Sequence, residues 1–277
     1  MSHSKMPNAD SFELPDTFTH NGWSIRYLAR QSNDHSRSAS ANPWVVFVHG
    51  TPWSSDVFRP LANALLASGS FNVVLYDLPG YGQSQTLSNF QHESEPDTSV
   101  KAQAESLAAL LHHLDLDGKE EKTRPHIVAH DIAGLPAGVF EGALRAIIQS
   151  ARANSHGLDR QWEDVLARPW LAAGLAADSS RGYDPQKNFV RQIKQSSDSH
   201  TAELLDNGLY SKVRCDVKIL WGEKDAWIPY EKMQSLEQLL GNRLKGLVTI
   251  PEAGHLIMLD QPERVTLEIV RWLGIQA

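Results

Sequence analysis

The sequence predicts an α/β protein: a mostly parallel sheet flanked by helices, with a purely helical stretch inserted before the sheet resumes. Three observations point there. The runs WVVFV at 44–48, NVVLY at 72–76 and HIVA at 126–129 are continuous in apolar residues rather than alternating, the pattern of strands covered on both faces. Segments with helical spacing separate them, as crossovers between parallel strands require. Residues 135–212 then show helical patterns and no apolar strand run.

Taken in order, residues 1–17 are polar with two prolines and read as a loose N-terminal end. Asn21-Gly22 sits between strand-like flanks, a hairpin signal. The Ser-rich stretch at 30–43 is a loop, and WVVFVHG follows as a central strand. DVFRPLANALLASG has helical spacing and ends in glycine, a helix stop, and FNVVLYDLPG is a second buried strand. TSVKAQAESLAALLHHL predicts a helix with Val100, Leu107, Leu111 and Leu114 on one side, and HIVAHD a third strand. After the helical stretch, VKILW and KGLVTI restore strands, with EKMQSLEQLL and PERVTLEIVRWLG as helices. The expected division is a core of residues 18–134 and 213–277 with a helical lid at 135–212.

Length and composition bound the function. With 277 residues and 41% hydrophobic content, the chain suits one large domain carrying an insertion. Its net charge of -7 comes without a basic stripe, which argues against a nucleic-acid partner and for a small neutral substrate. Cys215 is the only cysteine, so no internal disulfide and no paired-thiol metal site is possible, and a reducing compartment is expected. No apolar run approaches a membrane span and no signal core opens the chain; the expectation is a soluble, cytoplasmic protein.

Functional groups in open parallel sheets gather at the carboxyl ends of the strands. Three polar residues meet that condition: Asp131 after HIVA, Asp225 after VKILW and His255 after GLVTI, in the chain order nucleophile, acid, histidine. Singly, Asp131 could be a helix N-cap, Asp225 a turn residue and His255 a loop histidine. The ordered set is what points to catalysis.

Around these residues HGTPW at 49–53, DLPGYGQS at 77–84, AHDIAG at 129–134, GEKDAWIP at 222–229 and AGH at 253–255 resemble the α/β-hydrolase superfamily, and within it the aspartate-nucleophile branch of haloalkane dehalogenases and epoxide hydrolases. The resemblance spans roughly residues 18–274 by order of elements. It implies an α/β-hydrolase fold with Asp131 as nucleophile, His255 as base oriented by Asp225, and the backbone amides of Thr51 and Ile132 as oxyanion donors. His49 and Gly50 would support the oxyanion loop. Neither a metal nor an organic cofactor would be needed. A carboxylate suits attack at saturated carbon, because it displaces halide or opens an epoxide without first losing a proton.

The family pattern is not complete. Many dehalogenases carry Trp after the nucleophile and Asn or Glu after HG, where this chain has Ile132 and Thr51. That leaves epoxide opening ahead of halide displacement, with Tyr183 or Tyr210 as possible donors to the epoxide oxygen. Trp53 is the leading pocket-lining candidate among Trp53, Trp162, Trp170 and Trp227. Two other readings stay open: a lyase or isomerase using Asp131 as base, and a non-catalytic ligand-binding protein with the same pocket. Pro136, five residues after Asp131, should break the helix that usually follows the nucleophile. With no strand run before residue 213, the chain reads as lacking about 40 residues, a helix and a strand, relative to the family. The sheet is therefore expected to be interrupted between the strands near Ala129 and Val217.

Overall fold

The computed structural model describes residues 13–32, 42–88, 97–120, 124–130, 140–153, 160–171, 185–195, 202 and 208–275. The first sheet has five strands: β1 (Asp16–His20), β2 (Trp23–Arg30), β3 (Trp44–Val48), β4 (Asn72–Tyr76) and β5 (His126–Ala129), in spatial order β1-β2-β4-β3-β5. The hairpin β1–β2 turns at Asn21 and Gly22, whose φ values of 46° and 82° are those a two-residue hairpin turn demands. β2 runs antiparallel to β4, while β3 is parallel to β4 and to β5. β3 and β4 lie between other strands, and Val45, Val46, Phe47, Val73 and Val74 are fully buried.

Helix α1 (Arg59–Ala67) begins after a 3-10 turn at Ser55–Phe58 and carries Pro60 in its first turn, where the missing N–H has no partner to lose. Helix α2 (Val100–His113) is capped by the Ser99 hydroxyl. Its fully inward face is Ala102, Gln103, Ser106 and Leu110, a rotation from the expected stripe; Leu107, Leu111 and Leu114 are only partly buried. The reason is polar: Gln103 turns inward and donates to the carbonyls of Pro79 and Thr98.

The helices named among the described residues that follow are α3 (Phe140–Ser150), α4 (Arg160–Leu171) and α5 (Pro185–Gln195). Arg145 joins α3 to Glu163 and Asp164 of α4, and Trp170 of α4 packs edge-on against Phe189 of α5. α4 and α5 sit on the loops that leave β3 and β4: Trp170 Nε1 donates to Pro52 O at 2.7 Å, Gln85 Nε2 to Pro169 O, and Asn188 Nδ2 to Gln85 O.

The remaining strands, β6 (Val217–Gly222) and β7 (Leu244–Ile250), pair in parallel as a separate two-stranded sheet, with α6 (Tyr230–Leu240), the single turn α7 (Ile257–Asp260) and α8 (Pro262–Ile275) beside them. The expected mostly parallel sheet is thus present in part: two of the first sheet's four pairings are antiparallel, and β5 and β6 are not hydrogen-bonded to each other. Among the described residues no strand lies between them. Pro136 and its expected helix break fall outside the described residues.

Candidate functional site

The carboxyl ends of β3, β5, β6 and β7 converge on His255. Its Nδ1 lies 3.0 Å from Asp225 Oδ2, both side chains being nearly inaccessible to solvent. With a carboxylate on Nδ1, that nitrogen carries the proton and Nε2 is left as the basic nitrogen. Asp225 is itself fixed by its loop, since Oδ1 accepts the backbone N–H of Trp227 at 2.8 Å and of Ile228 at 3.0 Å. Burial alone would push this carboxyl up, but the hydrogen bond from His255 and the two amides outweigh it and hold Asp225 below the ordinary carboxylate range.

The histidine ring is held on two faces. Trp227 stacks on it at 4.7 Å, with Trp53 stacked beyond at 6.0 Å, and His130 meets it edge-on at 4.5 Å. His130 Nε2 also donates to the His255 carbonyl at 3.0 Å. Burial, with the neighbouring His255 adding to it, lowers His130 to about 3, so its imidazole is neutral near pH 7 and acts as a donor through one nitrogen. This bond joins the end of β5 to the loop after β7, across the two sheets.

The same loop is anchored from behind. Asp260 accepts the N–H of Gly254 at 2.8 Å and of Ala153 at 3.1 Å and pairs with Arg152, binding the His255 loop to the end of α3. A Cβ on Gly254 would come within 2.5 Å of the Ala153 nitrogen, so only glycine lets these backbones meet.

The loop after β3 is set by His49. Its Nε2 accepts the Leu78 N–H at 3.0 Å, which leaves Nδ1 to donate to Gly50 O at 2.9 Å; burial lowers its basicity, consistent with the neutral ring. Thr51 is buried and shares a 2.7 Å hydroxyl hydrogen bond with Tyr81. Asp77 spans this region by accepting the N–H of Ser55 and of Gln83 at 2.7 Å each, and Gly82, at φ 46°, passes where a Cβ would lie 2.1 Å from that carboxylate.

Of the residues singled out from sequence, Asp225 and His255 are brought together, Thr51 stands on the β3 loop, and Trp53 is buried against Trp227. Tyr210 lies on a 3-10 turn, Leu209–Lys212, and is 37% exposed. Asp131, Ile132 and Tyr183 lie outside the described residues. Sequence reasoning missed His130 and Asp260. His130 had a signal in standing beside Asp131, whereas nothing in the local pattern marks Asp260, whose partners are 107 and 6 residues away.

A cavity of about 540 Å³ opens from Asp225, His255 and His130 down between β5 and β6. Among the described residues no group of three or more His, Cys, Asp or Glu side chains is placed to hold a metal ion, and no helix is long and apolar enough to cross a membrane.

Comparison with known proteins bears on the family and the fold. The chain is 30% identical over 138 residues to an uncharacterized hydrolase of Saccharomyces cerevisiae, a match covering 48% of this chain and 42% of the yeast protein. The chain thus spans less than two thirds of that relative. An α/β hydrolase fold protein from Burkholderia ambifaria superposes with a TM-score of 0.70 at 25% identity, covering 94% of this chain and 98% of that one. Haloalkane dehalogenase DbeA from Bradyrhizobium elkani shares the fold with a TM-score of 0.65 at 15% identity, covering 94% and 96%. The alpha/beta hydrolase family model matches residues 45–268, most of the chain, and with the strand-end Asp225–His255 pair it establishes that this protein is a member of the alpha/beta hydrolase family.

Proposed function

We propose that this chain hydrolyses an epoxide or a halogenated small molecule through an ester on Asp131. The observation that carries the reading is the contact between His130 and His255: Asp131 is the next residue in the chain after His130, and His255 is already paired with Asp225. A carboxylate at that chain position can attack saturated carbon, forming the carbon–oxygen ester bond as the carbon–halogen or carbon–oxygen bond of the substrate breaks. Halide leaves as the anion, whereas an epoxide oxygen takes a proton, for which Tyr183 and Tyr210 are the candidate donors. Water then attacks the ester carbonyl while His255 Nε2 removes its proton, Asp225 stabilises the resulting imidazolium, and the amides of Thr51 and Ile132 take the oxyanion. Collapse releases the alcohol and restores the Asp131 carboxylate. The helices α4 and α5, packed on the β3 and β4 loops, would act as the lid that excludes bulk water.

The test is single-turnover hydrolysis of styrene oxide and 1-bromobutane in 18O-water, followed by mass spectrometry of the peptide containing Asp131. Label in that carboxylate is the expected result. His255→Gln should stop the reaction at the ester and leave a substrate-sized adduct on Asp131. Turnover by His255→Gln with an unmodified, unlabelled Asp131 would overturn the covalent reading.

A further inference from the structure

Helices α4 and α5 both meet the loop after β4 at one side chain, Gln85. Its Nε2 donates to Gly82 O at 3.0 Å, within its own loop, and to Pro169 O of α4 at 2.8 Å. Asn188 Nδ2 of α5 donates to the Gln85 carbonyl at 3.2 Å and to its Oε1 at 3.3 Å. Pro169 stands in the last turn of α4, where the final four carbonyls have no intrahelical donor, and as a proline it withholds the N–H that Val165 O would otherwise take. The end of α4 therefore depends on donors from outside the helix. The same end grips the loop after β3. Trp170, next to Pro169, donates from Nε1 to Pro52 O at 2.7 Å and sets its ring edge-on to Tyr81 at 5.7 Å. Tyr81 shares its 2.7 Å hydroxyl hydrogen bond with Thr51, the residue before Pro52.

We propose that Gln85 is a positioning residue that couples the docking of α4 and α5 to the setting of the Thr51 loop, so that the two helices loosen as one unit and the loop shifts with them. The coupling follows from a closed circuit of three segments. Residues 81–85 hold 169–170, residue 170 holds 52, and residue 81 holds 51, so none moves without breaking contacts to the other two. Gln85, Trp170, Tyr81 and Thr51 are each at most 3% exposed, so water does not replace a bond lost among them and the full desolvation cost of the orphaned group is felt. The other polar ties of these helices do not close such a circuit: Arg145 joins α4 to α3, and Gln192 of α5 reaches Pro79 O at 3.4 Å. The inference rests on the hydrolase reading for what the Thr51 loop does, and its test is made without substrate, so its failure is distinct from a failure to turn over.

The experiment is amide hydrogen exchange on the full chain, resolved by residue, in Gln85→Met, which keeps the length of the side chain and removes its hydrogen bonds. Exchange at 160–171 and 185–195 should quicken by about ten-fold together with the Trp53 amide, which is held by Gly50 O at 2.9 Å and has no hydrogen bond to Gln85. Strands 44–48 and 72–76 should keep the parent rates, which separates this loosening from a general loss of stability. A change in one helix only, or a Trp53 amide that exchanges as in the parent, overturns the proposal. Should Gln85→Met lose protection in 44–48 as well, two milder variants decide. Asn188→Ala removes the α5 side of the circuit and should quicken 160–171 and Trp53, although Asn188 makes no hydrogen bond to either; unchanged rates there overturn the coupling. Trp170→Phe keeps an aromatic ring and removes the donor to Pro52 O. It should quicken Trp53, and no change at Trp53 means that α4 does not set the Thr51 loop, which also overturns the proposal.

Discussion

β3 and β6 are similarly apolar as sequence, WVVFV against VKILWG, yet they end in different surroundings. β3 has strands on both edges, and its last four residues are buried; among the described residues β6 has one partner, and its first five residues are half-buried. The difference teaches that apolar character selects a strand, while burial depends on having neighbours at both edges. Hydrophobic stabilisation follows the area removed from water, about 25 cal/mol per Å², so the β6 side gains less per residue.

The largest effect that tests this contrast is on stability. Phe47→Ala, in the closed half, should cost about 3–5 kcal/mol, and Leu220→Ala, in the open half, about 1 kcal/mol, both read from urea unfolding. Equal losses would erase the distinction between the halves.

Acid should strike where the halves meet. Because burial lowers His130 to about 3 and lowers His49 as well, the unfolded chain binds protons below pH 6.5 that the folded one refuses. Stability should therefore fall from pH 6.5 towards pH 3 by about 1.4 kcal/mol per pH unit for His130, with His49 adding a loss of the same sign below pH 6.5. Asp225, held low, adds a loss only below about pH 4, where the unfolded chain's carboxylate takes up a proton that the folded one still refuses. His130→Phe should remove one histidine's share of the slope; an unchanged slope would show that His130 titrates normally.

The His130 bond to the His255 carbonyl sharpens the comparison further. In His130→Phe, amide exchange at residues 253–256 should quicken about ten-fold, the equivalent of one lost hydrogen bond of about 1.4 kcal/mol, while β3 stays protected. No change would mean that Asp260 alone holds the loop. The smallest effect belongs to the surface: Lys224→Ala, breaking an exposed pair with Glu252, should shift stability by less than about 0.5 kcal/mol. A larger loss would show that the β6–β7 half depends on its rim charges.

Sequence alone determined the local elements. The continuous apolar runs marked β3, β4 and β5, Asn21-Gly22 fixed the hairpin because its turn needs positive φ at both positions, and the order of Asp225 and His255 after their strands marked two residues that the structure pairs. These are consequences of backbone preference and of short-range pattern, which the chain carries at each position. Only the tertiary structure decided the rest. The inward face of α2 turned on Gln103 reaching carbonyls at Pro79 and Thr98, and the His255 loop depends on His130 and Asp260, whose partners lie up to 125 residues away in the chain. Whether β5 and β6 share a partner is likewise set by what stands between them in space, because a strand's edge groups are satisfied by whichever backbone arrives, and no residue within the strand specifies it.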